Sequence, residues 1–206
     1  MTEELKEIIG KSHCLFMKYG IRSVTMDDVA RELGISKKTL YQHVEDKNDL
    51  VEKVFEIENQ CTEQDLIYLT CNNLNAIDQI LEVDKLIMRL MKDHNPAAFY
   101  DLKKYFPSIY SKQVQLRREK IAMFFGDNIE QGKTEGLYRD DVDSEIIARL
   151  HVARFEVVID GDLFTVEEFT SGKWVWQLLN YHIRGLITPQ GLEYFENRLK
   201  DYKSQI

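Results

Sequence analysis

Proline and glycine are scarce in this sequence, 3 and 10 of its 206 residues. So little punctuation argues against a fold of many short strands and turns and favours long uninterrupted helices. Cysteine is also rare. Cys14, Cys61 and Cys71 form no CxxC pair and leave an odd count, so neither a disulfide framework nor a thiolate metal site is expected, and reduced thiols in a reducing compartment are. No run of about 18 apolar residues occurs, so no membrane span is expected. The amphipathic start MTEELKEIIGKSH, with its interleaved acids, does not read as a signal peptide, and the chain reads as cytoplasmic. The five histidines, His13, His43, His94, His151 and His182, include no HExxH and no i,i+4 pair, so no metal site is expected. No Ser-His-Asp or Cys-His set can be argued from spacing. The chain is therefore expected not to be an enzyme and to carry no cofactor.

What is present is an ordinary globular balance, 44% hydrophobic and 30% charged, on a chain long enough to bury a core. The net charge of −8 is unevenly placed. Residues 1–50 carry eight Lys+Arg against nine Asp+Glu, and the other 156 residues carry 19 against 26. The acidity sits outside the N-terminal fifty, but those fifty are not basic, so any surface they offer to a polyanion must be a local patch.

Apolar residues Leu5, Ile8, Ile9, Leu15 and Phe16 recur at helical spacing and predict a first helix from about residue 2 to Tyr19, ended by Gly20 in a left-handed conformation. Thr25 with Asp28 three residues on forms a capping box, and Asp27 and Asp28 suit the positive end of a helix dipole. A second helix follows, Met26 to Leu33, stopped by Gly34. Ser36 then caps a third, Lys37 to about Val44, and Asp46 with Asp49 caps a fourth from Lys47. Two short helices joined by a glycine-containing turn outline a helix-turn-helix. In the third helix Leu40 and Val44 can pack on Val29 and Leu33, which leaves Lys37, Lys38, Thr39, Tyr41, Gln42 and His43 largely outward. Lysines, hydroxyls, an amide and an imidazole on one helix suit a DNA major groove; a merely solvated face gives no reason to expose Tyr41.

The segment from Val24 to Leu50, VTMDDVARELGISKKTLYQHVEDKNDL, resembles the N-terminal signature of the TetR (tetracycline-repressor) family of bacterial transcriptional regulators. It follows the pattern T…(I/V)A…LG(I/V)S…TLY.HF..K..L, with Val44 where an aromatic is usual. The resemblance covers about a quarter of the chain. It implies that Lys37, Lys38, Thr39 and Gln42 face bases, while Thr25, Tyr41, His43 and Lys47 hold phosphates. Asp27 departs from members with a basic residue there and speaks against a base contact from that position.

Beyond Lys47 further helices are predicted to about Thr70, over Asn75–His94, from Pro96 through Tyr105, from Pro107 to about Thr134, over Ser144–Asp160, over Val166–Ile187 and over Pro189–Lys203. Each proline sits in a first turn; Asp143 is a candidate N-cap, and Gly136 and Gly161 are candidate stops. The expected fold class is all-α, with about nine to ten helices: an N-terminal helix-turn-helix domain over 1–46 and a helical ligand-binding and dimerisation domain over 47–206. Gly132-Lys133-Thr134 looks like part of a phosphate-binding loop, but Gly126 lies five intervening residues back instead of four and the segment ends a helix. Asp140, Asp141 and Asp143 read as helix capping before a metal site.

Aromatics and methionines are dense in the middle and late helices. Core packing accounts for any one of them, but such residues also line apolar ligand cavities. The family resemblance implies a pocket among these helices for an apolar or aromatic effector, and Met91, Tyr110, Phe124 and Phe155 are the candidate lining. Trp174, Leu178 and Tyr181 form an i, i+4, i+7 stripe extended by Gly185; with Leu150 and Val158 they are candidates for a homodimer interface, intrachain packing being the alternative. The expectation is a ligand-responsive regulator, a repressor, that binds a palindromic DNA operator as a homodimer. The alternative is a DNA-bound adaptor of the same fold controlled by a protein partner.

Overall fold

A computed structural model of the chain describes residues 2–71, 73–92, 95–160, 165, 167–168, 171 and 173–202, with side chains described at all of these except 70–71, 91–92, 158–160 and 201–202. Ten α-helices occur among them: α1 Glu3–Tyr19, α2 Met26–Leu33, α3 Lys37–Leu40, α4 Lys47–Cys71, α5 Ala76–Lys92, α6 Pro96–Tyr105, α7 Pro107–Thr134, α8 Ser144–Asp160, α9 Lys173–Leu186 and α10 Pro189–Tyr202. The described residues contain no strand. One isolated antiparallel bridge, Tyr138 with Ile187, ties the turn after α7 to the end of α9. The fold is all-α, and none of its described helices is long and apolar enough to cross a membrane.

Local chemistry sets the boundaries. The Thr2 hydroxyl accepts from Leu5 N at 3.3 Å and opens α1. Gly20 closes it at φ +83°, ψ +151°, a positive-φ extended conformation instead of the left-handed helical one expected. Gly34 does take the left-handed helical conformation, φ +67°, ψ +22°. Pro96, Pro107 and Pro189 each start a helix, where the missing N–H costs nothing. Asp143 caps α8 by accepting from Ile146 N at 2.9 Å. The helix expected over Val166–Ile187 is realised from Lys173 to Leu186. Before it, Thr165 and Glu168 cap each other through Thr165 N to Glu168 Oε2 (2.9 Å) and Glu168 N to Thr165 Oγ1 (3.2 Å). Gly161 lies outside the described residues.

The chain forms two compact units. Met1–Glu63 and Asp93–Leu116 make the first, Gln64–Lys92 and Arg117–Ile206 the second. The core of the first unit buries Ile8, Phe16, Val29, Leu40, Val44, Leu50, Phe55, Leu102 and Phe106. Each fully buried aliphatic there contributes about 2 kcal/mol of transfer free energy. As expected, Leu40 and Val44 are buried with Val29, and Leu33 packs on them half-covered. The same core takes in α6: Asn95 Nδ2 donates to Met17 O at 2.7 Å and the Asp101 carboxylate accepts from Arg22 N at 2.8 Å.

The second unit centres on Ile77, Ile80, Phe124, Phe125, Ile129, Tyr138, Phe155, Trp174, Leu179, Ile183 and Phe195. Gly132 sits inside α7 for a steric reason. A Cβ at that position would lie 2.1 Å from Cδ2 of Tyr138, whose ring is folded back under the helix with its hydroxyl 3.2 Å from Asn128 Oδ1. Close approach, not phosphate chemistry, accounts for this glycine.

Candidate DNA-binding site

The site is built on the α2–turn–α3 segment and the start of α4. Thr25 caps α2: its Oγ1 accepts from Asp28 N at 3.2 Å and donates to Asp28 Oδ2 at 2.6 Å, while Thr25 N donates to the same oxygen at 2.9 Å. The Thr25 hydroxyl, with the backbone N–H behind it, holds the Asp28 carboxyl below the ordinary aspartate range. The exposed hydroxyl of Thr25 is thus already engaged, and a phosphate would have to compete with Asp28 for it.

Ser36 caps α3 by accepting from Thr39 N at 3.0 Å, and its hydroxyl lies 2.8 Å from that of Thr39. The third helix is shorter than expected. Its regular part ends at Leu40, and residues 41–43 continue as tight turns in which Gln42 N donates to Thr39 O and His43 N to Leu40 O, both at 3.0 Å. Three-residue bonds of this kind tighten a helix end. They leave Lys37, Lys38, Tyr41 and Gln42 on the exposed side and Thr39 half-covered. His43 differs: only 18% of its side chain is exposed, and its Nε2 lies 3.5 Å from Glu4 Oε2 of α1, so it faces the first helix.

The two lysines are not equivalent. Lys37 Nζ donates to Asp27 Oδ2 at 3.0 Å, and that contact raises its pKa. Lys38 forms no ion pair among the described residues. Tyr41 is 43% exposed, a phenol set on the outer surface.

Lys47 opens α4 half-buried, with Nζ donating to the carbonyl of Arg22 at 3.2 Å. Burial lowers its pKa, while the charges of Asp101 and Asp28 pull the other way. Part of its donor capacity therefore fixes the α1–α2 loop. That loop carries Arg22, which the sequence reading did not select. Its side chain is exposed, donating to Tyr105 Oη at 2.6 Å with Cζ 4.7 Å from that ring's centre. Its partners Asp101 and Tyr105 lie some eighty residues away along the chain, so no local signal marks it.

The candidates of the C-terminal helices divide. Phe124 and Phe155 are buried in the second unit's core, whereas Tyr110 packs half-covered on the core of the first. The side chains of Met91 and Val158 lie outside the described residues. Trp174 is buried, its ring 5.7 Å from that of Phe155, so it is taken up within the chain. Leu178 is half-covered, while Leu150 (52%) and Tyr181 (71%) are exposed and Gly185 borders open space. Ile146 and Val157, which the sequence reading passed over, are also exposed and share with Leu150 one face of α8.

Inside the second unit lies a polar cluster that the sequence reading left dispersed. The buried rings of His151 and His182 are 4.6 Å apart, and Phe125 lies 3.5 Å from the first and 4.9 Å from the second. Burial above all, with the charge of Arg154 contributing, pushes both imidazoles well below the ordinary histidine range and keeps them neutral. No group of three or more metal-ligating side chains occurs among the described residues.

Residues 8–54 match the family model of bacterial regulatory proteins, tetR family. The chain is 24% identical over 188 residues to the uncharacterized HTH-type transcriptional regulator YvaF of Bacillus subtilis (strain 168), covering 90% of this chain and 96% of that one. Among solved structures, a transcriptional regulator from Cytophaga hutchinsonii ATCC 33406 superimposes with a TM-score of 0.76 at 18% identity, covering 91% of this chain and 100% of its own. A gamma-butyrolactone receptor (ArpA-like protein) superimposes with a TM-score of 0.59 at 16% identity, over 99% of this chain and 98% of its own.

Proposed function

The chain belongs, through residues 8–54, to the tetR family of bacterial regulatory proteins, and from that premise we propose that this DNA-binding transcriptional regulator is a homodimeric repressor released from its operator by a small-molecule effector. The observation that carries the DNA half of this reading is the exposed array Lys37, Lys38, Tyr41 and Gln42 on a short helix pinned to the core through Leu40 and Val44. Amide and ammonium donors on such a helix match the acceptors of base edges in the major groove, with guanine O6 and N7 the natural targets of lysine. Thr25, Tyr41 and Lys47 set register on the phosphates. A two-fold dimer places the two helices in successive major grooves, so the operator is a palindrome with half-sites roughly 34–36 Å, or a multiple, apart.

The dimer is supported by the exposed apolar face Ile146, Leu150 and Val157 on α8 and by Tyr181 on α9, since apolar groups left on a monomer's surface mark association sites. The effector is supported by the aromatic core of the second unit and by a structural neighbour described as a receptor for gamma-butyrolactone. To switch, the effector must favour the state that cannot bind DNA; equal affinity for both states changes nothing.

The test is a duplex enriched from a random library by the full-length chain, then bound by variants. Lys37→Ala or Lys38→Ala changes which sequences bind. Lys47→Ala weakens all sequences alike and reduces the slope of log K against log salt by about 1. A Lys47→Ala variant that altered base preference alone would overturn this division of labour.

A further inference from the structure

The polar cluster of the second unit has more hydrogen-bond donors than it satisfies. Arg154 Nη2 lies 3.4 Å from His182 Nδ1. A guanidinium donates only, so His182 Nδ1 is the acceptor, and in the neutral ring the proton then resides on Nε2. That Nε2–H is buried and has no partner; nor do Arg154 Nε–H and His151 Nδ1. A buried donor without an acceptor is destabilising, and a charged one more so.

Among the described residues the charge, too, is uncompensated. No ion pair joins Arg154 to a carboxylate among the described residues. Glu156, two residues on, is taken by Arg118 Nε. The guanidinium carbon lies 5.4 Å from the centre of the Tyr181 ring, whose π face offers only part of a counter-charge. A cation with a sealed N–H, set against two neutral imidazoles, is arranged for an oxyanion that arrives from outside the chain.

The surroundings define the rest of that molecule. Phe125 stacks on His151, Phe124 lies edge-on to Phe125 at 5.4 Å, and Phe155, one turn beyond His151 on α8, packs on Trp174. A ligand that fits is therefore anionic at one end and apolar along its body.

We propose that Arg154, His182 and His151 form the polar anchor of the effector site, and that the effector is a carboxylate on an apolar or aromatic body. This rests on the effector reading above and narrows its class. Arg154 Nε–H and His182 Nε2–H donate to the carboxylate oxygens. The acid binds ionised and both histidines stay neutral, so no proton changes hands.

The test uses the full-length protein with ¹³C,¹⁵N-labelled histidine and two matched probe pairs, decanoate with decanol and 3-phenylpropanoate with 3-phenylpropanol. At least one carboxylate is expected to move the ring signals of His151 and His182 saturably and to bind roughly tenfold tighter than its alcohol. Arg154→Gln, which keeps a planar amide in place of the charge, is expected to remove that preference while the fold, read from the other histidine signals, persists. Equal binding of acid and alcohol, saturable binding that leaves both rings unmoved, or no saturable binding of either acid overturns the proposal. The two readings fail separately. Ring shifts without release of the enriched duplex preserve the anchor and contradict the effector mechanism, whereas release by a molecule that leaves both rings unmoved contradicts the anchor alone.

Discussion

Lys37, the first residue of the third helix, donates to the carboxylate of Asp27 in the second helix at 3.0 Å. The contact joins the two helices of the DNA-binding motif through an exposed ion pair, a type that contributes little to stability. Its consequence lies in binding. On the proposed assignment of Lys37 to DNA, the duplex replaces Asp27 as its partner and leaves a freed carboxylate beside a polyanion. Asp27→Asn is therefore expected to raise affinity for any duplex about fivefold at 0.15 M salt and to narrow the gap between specific and random DNA. Anisotropy titrations on both duplexes measure it, and an unchanged affinity for random DNA would show that Asp27 takes no part.

Glu58 in α4 gives the first unit a pH dependence. Its Oε2 is sealed from water and has no hydrogen-bond partner, although about a third of the side chain, 34%, remains exposed. Burial pushes the carboxyl up to about 7, and the His13 Nε2 lies as far as 4.0 Å away. For an acid whose folded pKa is raised, the unfolded chain releases its proton first. Stability is then greatest below the ordinary glutamate value, falls as pH rises from about 4.5 to about 7, and is level above that. Glu58→Gln should flatten this slope and stabilise the protein at pH 8 by on the order of 1 kcal/mol, the shift being discounted for the part water reaches. Melting temperatures of both proteins across pH 4–8 check it; parallel curves would contradict it.

Gly132 carries a steric prediction. With Tyr138 Cδ2 only 2.1 Å from where a Cβ would stand, Gly132→Ala must displace a buried ring and its bond to Asn128. A loss of about 3 kcal/mol is expected, read by urea unfolding. Gly126→Ala in the same helix, where a Cβ meets nothing within 4 Å, is the control and should be neutral or slightly stabilising.

The exposed face of α8 makes the oligomer testable. Leu150→Glu combined with Tyr181→Glu is expected to shift sedimentation from dimer to monomer and to weaken operator binding by at least tenfold, because a single head makes half the contacts. The double variant should keep its helical content, both side chains being exposed in the chain itself. Unchanged sedimentation would contradict the proposed dimer through this face.

Features written within a few residues were legible in the sequence. The Thr25–Asp28 capping box, the Gly34 stop and the Ser36 cap bracket α2 and start α3 as read, because each acts over three or four residues. The family signature lies in the same stretch. The extent of α3 was overestimated: nothing in Tyr41-Gln42-His43 announces a change from four-residue to three-residue bonds. Contacts across sequence were not legible. Lys37 with Asp27, Lys47 with the Arg22 carbonyl, and His151 with His182 depend on how helices are placed, and their spacings of 10, 25 and 31 residues match no motif. The histidines were passed over because metal spacing was sought, whereas their relevance comes from burial beside an arginine.

Operator binding is tested most directly by fluorescence anisotropy of the protein on a duplex enriched from a random library, titrated with salt. The expected result is a palindromic duplex bound by two protomers per site, more tightly than its scrambled counterpart, with affinity falling steeply as salt rises. Failure of any sequence to enrich, or equal binding to enriched and scrambled duplexes at every salt concentration, would contradict it.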